Sequence, residues 1–111
     1  MFYVYILYNA KSDRYYIGHT PDVYKRLEEH NNPQENKYTS KYLPWELKLY
    51  FKVTESRGDA MLVERFIKKQ KSRDFIQKLI HKQGDEEFFG SLIINILKRA
   101  PLVRAIPSPR D

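Results

Sequence analysis

The chain opens on a run of apolar and aromatic side chains, Phe2 to Tyr8 (FYVYILY), of the kind that suits a pleated, half-buried strand. Asn9 to Asp13 is turn-forming and Arg14 to Gly18 (RYYIG) resumes the strand pattern, so the first twenty residues predict a hairpin. Thr20-Pro21-Asp22 predicts a helix start: Thr20 suits the cap, Pro21 the first helical position and Asp22 the positive end of the helix dipole. Val23 and Leu27 are spaced for burial, and Asn31-Asn32-Pro33 ends that helix near His30. Residues 33–44 (PQENKYTSKYLP) are polar and hold two prolines, which predicts a loop. From Trp45 to Val53 the apolar Trp45, Leu47, Leu49, Phe51 and Val53 alternate with Glu46, Lys48, Tyr50 and Lys52, the pattern of a sheet with one covered face. Ser56 with Asp59 resembles a capping box, predicting a helix over about 58–70 that buries Ala60, Met61, Val63, Phe66 and Ile67. Ser72 caps a further helix with an apolar stripe of Phe75, Ile76, Leu79 and Ile80. Gly84-Asp85-Glu86-Glu87 interrupts it, a short last helix covers about 91–99, and the segment after it, with three prolines, predicts an extended tail. The order ββαβαα plus a short helix predicts an α/β (α+β) fold: a small mixed, mainly antiparallel three-stranded sheet flanked by helices. Residues 1–83 form one domain in this reading, and residues 84–111 a C-terminal extension.

Composition narrows the function classes. The chain of 111 residues is 41% hydrophobic and 14% aromatic, enough for one core and against wholesale disorder. It has no cysteine, which excludes a disulfide framework, a thiolate zinc site and a thiol nucleophile. No apolar run approaches the ~20 residues that span a bilayer, and Met1-Phe2-Tyr3-Val4-Tyr5 lacks the form of a secretory signal. A cytoplasmic protein without a membrane partner is therefore expected. The net charge is +6, and residues 65–82 alone carry that much: Arg65, Lys68, Lys69, Lys71, Arg73, Lys78 and Lys82 against Asp74. Such a stretch suits a polyanion, whose neutralised phosphates release counterions, although a solvated helix face has the same pattern. The loop residues Tyr38, Thr39, Ser40, Lys41 and Tyr42 are also of types that meet phosphate oxygens.

Two polar positions fall where a helix ordinarily wants apolar ones. Glu64 has Ala60, Met61 and Ile67 among its neighbours one turn away, so its carboxylate emerges beside a buried stripe. There it needs a cation, a donor or a metal, and the plainest partner is Lys68 four residues on. Arg26 and His30 likewise lie one turn apart on one helix face.

Val4-Tyr5 on the first strand and Tyr16-Ile17-Gly18 on the second resemble the two signature elements of the GIY-YIG nuclease family. The similarity continues through Arg26, Glu29-His30-Asn31, Lys41 to Pro44, and Glu64 followed by Ile67-Lys68-Lys69, which resembles the family's E…IKK helix. It spans roughly residues 1–80 and is closest to small stand-alone members related to the UvrC nuclease domain. The resemblance implies a divalent-metal-dependent endonuclease that hydrolyses phosphodiester bonds in DNA, in repair or recombination, with RNA not excluded as a partner. It implies Tyr16 as the general base or its assistant, Tyr5 as the group positioning water or phosphate, and Arg26 as the holder of the scissile phosphate. Glu64 would bind one ion, Mg²⁺ or Mn²⁺, and His30 would contact phosphate or transfer a proton. Lys41, Lys68, Lys69, Lys71, Tyr38 and Tyr42 would flank the substrate. The sequence departs from the pattern in three places. The first motif, Tyr3-Val4-Tyr5, lacks its glycine. His19 stands where repair-type members often have lysine, and is an alternative base with a pKa better matched to neutral pH. Phe75-Ile76-Gln77 lacks the usual polar partner beyond the E…IKK helix. A nucleic-acid-binding module of the same fold without turnover, and an adaptor for an acidic protein partner, are the competing readings. Convergence of Tyr16, Arg26 and Glu64 on one open cleft separates the nuclease from the adaptor.

Overall fold

The computed structural model describes residues 1–34 and 42–99. Strands β1 (Tyr3–Asn9) and β2 (Arg14–Thr20) form the predicted hairpin, and β3 (Glu46–Lys52) pairs antiparallel with the other side of β1, giving the order β2-β1-β3. Helix α1 (Val23–His30) lies between β2 and β3 in sequence, and α2 (Arg57–Gln70), α3 (Arg73–His81) and α4 (Glu86–Arg99) follow β3. The order ββαβααα matches the expected α/β class.

Both faces of the sheet are covered, not one. Val4, Ile6, Ile17, Leu49 and Phe51 pack against Val63, Ile67, Leu79, Phe89, Ile93 and Ile96 of the three C-terminal helices. On the other face Tyr5, Leu7, Val23 and Trp45 form a second cluster under α1. The alternation from Trp45 to Val53 conceals the switch. Ile6 pairs with Leu49 but Leu7 pairs with Leu47, so the register shifts by one residue at Lys48. A bulge of that kind moves every side chain beyond it to the opposite face. Leu47 and Trp45 therefore serve the α1 cluster, while Leu49 and Phe51 serve the other.

Three further expectations are corrected. Asp22, not Thr20, caps α1, its carboxylate accepting the Lys25 N–H at 3.1 Å. The Thr20 hydroxyl is spent on the turn just before, accepting the Asp22 N–H at 3.1 Å. Met61 is 40% exposed and faces outward from α2. The last helix begins at Glu86, not near 91, because Asp85 caps it by accepting the Phe88 N–H at 3.0 Å. The acidic pair Glu86-Glu87 does not interrupt the helical region but sits in the first turn of α4, where the helix dipole favours negative charge. Phe89 of this helix stacks on Phe51 of β3 at 4.4 Å between ring centres. Ser56 and Ser72 cap α2 and α3 as predicted. No described helix is long and apolar enough to cross a membrane.

Candidate active site

The hairpin register sets the first part of the site. Tyr5 in the central strand lies directly across from Gly18 in β2, and its phenol runs over the glycine. A β-carbon on Gly18 would come within 2.5 Å of the Tyr5 hydroxyl oxygen, so only glycine leaves the ring room. Tyr5 is 1% exposed. Its hydroxyl meets His30 Nε2 at 2.8 Å, and His30, on the last turn of α1, is itself fully buried. Tyr16, two residues before Gly18 on the same face of β2, stacks on Tyr5 and meets His30 edge-on, with ring centres 6.3 and 4.6 Å apart. Trp45 closes this aromatic cluster at 6.1 Å from Tyr16. Asn31 holds Trp45 in place by accepting its backbone N–H at 2.7 Å and donating to its carbonyl at 3.1 Å.

Electrostatics keep the buried pair neutral. Burial pushes the Tyr5 phenol well above its ordinary value, against the opposing hydrogen bond from Arg26. Burial first, and the Arg26 charge second, push the His30 imidazole down to about 4. Because guanidinium only donates, the Tyr5 oxygen accepts from Arg26, while the neutral phenol and imidazole share one hydrogen bond. Arg26 also donates to Glu29 at 2.9 Å, while its buried Nε is without an acceptor among the described residues. The Glu64 charge reaches the Tyr5 hydroxyl as well, raising its pKa further.

The His30 shift gives a pH dependence with a defined sign. The folded ring stays unprotonated down to about pH 4, whereas the unfolded ring takes a proton near 6.5. The unfolded state therefore binds more protons between those values, and stability is full above pH 6.5 and lost as pH falls toward 4. The loss is on the order of 2 kcal/mol. Urea midpoints measured at pH 7 and 4.5 should show it in the parent and a much flatter response in His30→Gln; equal responses would remove His30 as the cause.

The second part of the site lies on the α2 side of β2. Glu64 accepts from His19 Nδ1 at 2.6 Å and from Lys68 Nζ at 2.6 Å, so the pair with Lys68 expected from helical spacing is present. Arg57 meets His19 Nε2 at 3.3 Å. Arginine has no lone pair to offer, so Nε2 accepts and Nδ1–H donates to Glu64. Both ring nitrogens of His19 are thereby engaged, Nδ1 with the carboxylate and Nε2 with Arg57. No local pattern in the sequence marks Arg57, because its partner is 38 residues away. Gly18 is visible in the sequence as part of a motif, but its steric role emerges only from the strand pairing.

Of the remaining predicted substrate contacts, Lys68, Lys69 and Lys71 are exposed on and just after α2. Tyr42 is half-buried, with the Arg14 guanidinium 4.6 Å above its ring. Tyr38, Thr39, Ser40 and Lys41 lie outside the described residues.

The hairpin stacks two tyrosines, one of them hydrogen-bonded to an arginine of α1, and a glutamate of α2 lies across the edge strand. The GIY-YIG catalytic domain model matches residues 1–79, and the chain belongs to that family. It is 42% identical over 79 residues to a UPF0213 protein of Streptococcus pyogenes serotype M5 (strain Manfredo), covering 71% of this chain and 82% of that one. A UPF0213 protein of serotype M3 (strain ATCC BAA-595 / MGAS315) is 40% identical over the same length, with the same coverage. No solved structure matches the chain. The domain is of a nuclease family, which implies an endonuclease acting on nucleic acid.

Proposed function

We propose that the chain is a divalent-metal-dependent endonuclease that hydrolyses phosphodiester bonds in DNA in the cytoplasm, in repair or recombination. The observation that carries this reading is the meeting of Tyr16, the neutral Tyr5–His30 pair and Arg26 on one face of the hairpin, with Glu64 near enough to act on Tyr5. Arg26 holds the scissile phosphate, and its unmet Nε donor fits an anion partner. Tyr5, kept protonated by burial, positions water or phosphate through the Arg26 guanidinium that it accepts from; His30 acts through that hydroxyl, being buried behind it. Tyr16 is the less buried of the two phenols and takes the base role. His19 orients Glu64.

Among the described residues no three acidic, histidine or cysteine side chains gather in one place. A single carboxylate fits Mg²⁺ or Mn²⁺, which keep several waters and take further ligands from substrate phosphate. Glu64 is the residue that would hold the ion, with the half-exposed Lys68 ammonium swinging out to solvent. A bound ion supplies positive charge to the phosphoryl oxygens.

One observation favours the second reading, a binding module without turnover: both Glu64 oxygens are already hydrogen-bonded. A panel of duplex, nicked, flap and branched DNA, with matching RNA, decides between them. Nicking that requires Mg²⁺ or Mn²⁺ and falls at least a hundredfold in Tyr16→Phe is the expected result, in line with the loss of a general base. Binding without cleavage on every substrate would establish the module instead.

A further inference from the structure

A cleft of about 470 Å³ opens beside the aromatic cluster, between the β1–β2 turn and the α2–α3 junction. Ser12 and Asp13 of the turn with Arg14 at the start of β2 form one side, and Lys71, Ser72 and Arg73 the other. Arg73 locks the two together, donating to the Asp13 carboxylate at 2.6 Å and to the Asp13 carbonyl at 3.1 Å. Lys71 closes α2 in the left-handed conformation, with φ of 47°, and its exposed side chain is thrown onto this side. Arg14, Lys71 and Arg73 thus stand against one carboxylate. The remaining walls are aromatic and apolar: Tyr15, Tyr16, Trp45 and Ile76. Tyr16 belongs to both places, lining this cleft and packing edge-on against His30 in the candidate active site.

We propose that this cleft holds an unpaired nucleotide of the substrate strand next to the scissile phosphate, so that the enzyme acts where single strand adjoins the cut. The proposal rests on the nuclease reading and adds the substrate's form to it. A duplex keeps its base faces stacked inside and presents phosphates and groove edges, which need no aromatic-walled recess. A recess that combines cations with aromatic walls matches what single strands offer, phosphate and an exposed base face together. Its volume lies within the range of pockets that take one small ligand. Tyr16, lining the cleft on one side and packing on His30 on the other, is what joins the cleft to the candidate active site.

The test uses the full chain carrying Glu64→Gln, so that cleavage is suppressed during the measurement, and fluorescence anisotropy across a KCl series. The probes are a 12-nucleotide single-stranded DNA and the duplex of the same sequence. Adding Arg14→Gln and Lys71→Gln should weaken single-strand binding about tenfold and lower its log–log salt slope by about 0.7 for each phosphate that is no longer neutralised. Duplex affinity should change less than twofold, and Lys98→Gln, exposed on α4 and not lining the cleft, should change neither. Unaltered single-strand binding in the double variant would overturn the cleft while leaving the nuclease reading intact. An equal loss on duplex would make the cleft a backbone contact and overturn the unpaired-nucleotide assignment. If no nucleic acid binds at any salt concentration, both readings fall together.

Discussion

Cleavage by Glu64→Gln is expected to fall by on the order of 10³-fold, comparable to removing a principal charge-stabilising group from an active site. Stability should stay within about 1 kcal/mol of the parent, since the amide keeps the side chain's shape and Lys68 can leave the pair for water. The substitution keeps the shape of the side chain and removes its charge. In the parent each carboxylate oxygen accepts one bond, from His19 and from Lys68. An amide oxygen can keep one of these, and the amide nitrogen then faces a donor. Lys68 is 52% exposed and turns to water at small cost. Single-turnover nicking alongside urea denaturation separates the two effects. A cleavage loss below tenfold would take Glu64 out of the chemistry, and unfolding in step with lost activity would make its role structural.

Gly18→Ala should destabilise the fold by about 2–3 kcal/mol, the upper part of the range for overpacking, and lower cleavage as well. The new methyl would stand 2.5 Å from the Tyr5 hydroxyl oxygen and 2.7 Å from the ring carbon that bears it. Tyr5 has nowhere to go: it is 1% exposed and hydrogen-bonded to a fully buried His30. Relief must come from moving the Tyr5–His30 pair, which the proposed mechanism uses to orient its reactants. A Tyr5→Leu background removes the clashing atoms, so there Gly18→Ala should cost less than about 1 kcal/mol. Equal costs in the two backgrounds would show that the strain lies elsewhere in the hairpin.

The hairpin, both serine-capped helices and the candidate site residues are legible in the sequence because their signals are local or belong to an ordered motif. Tyr16, Gly18, Arg26 and Glu64 stand out by residue type and order alone. What pairing decides is not legible. The strand from Trp45 to Val53 alternates without fault, yet it feeds two cores, because the shift at Lys48 exists only relative to β1. Asp22 displaces Thr20 as the cap because both can accept a backbone N–H and only the chain's path into the helix chooses between them. The ordinary pKa of histidine makes His19 an alternative base in the sequence. Its contacts with Arg57 and Glu64, from an element more than thirty residues away, give the ring a different occupation.

The shift at Lys48 bears on more than the core. β3 is an outer strand of the sheet, and an outer strand with free N–H and C=O groups is a template for another copy of the chain. The bulge breaks the regular spacing that such a neighbour would have to match. Glu46, Lys48 and Lys52 add charges along the same strand, Lys48 and Glu46 pairing at 3.2 Å. One extra residue thus lets the strand serve two faces of the sheet and also discourages self-association at its edge.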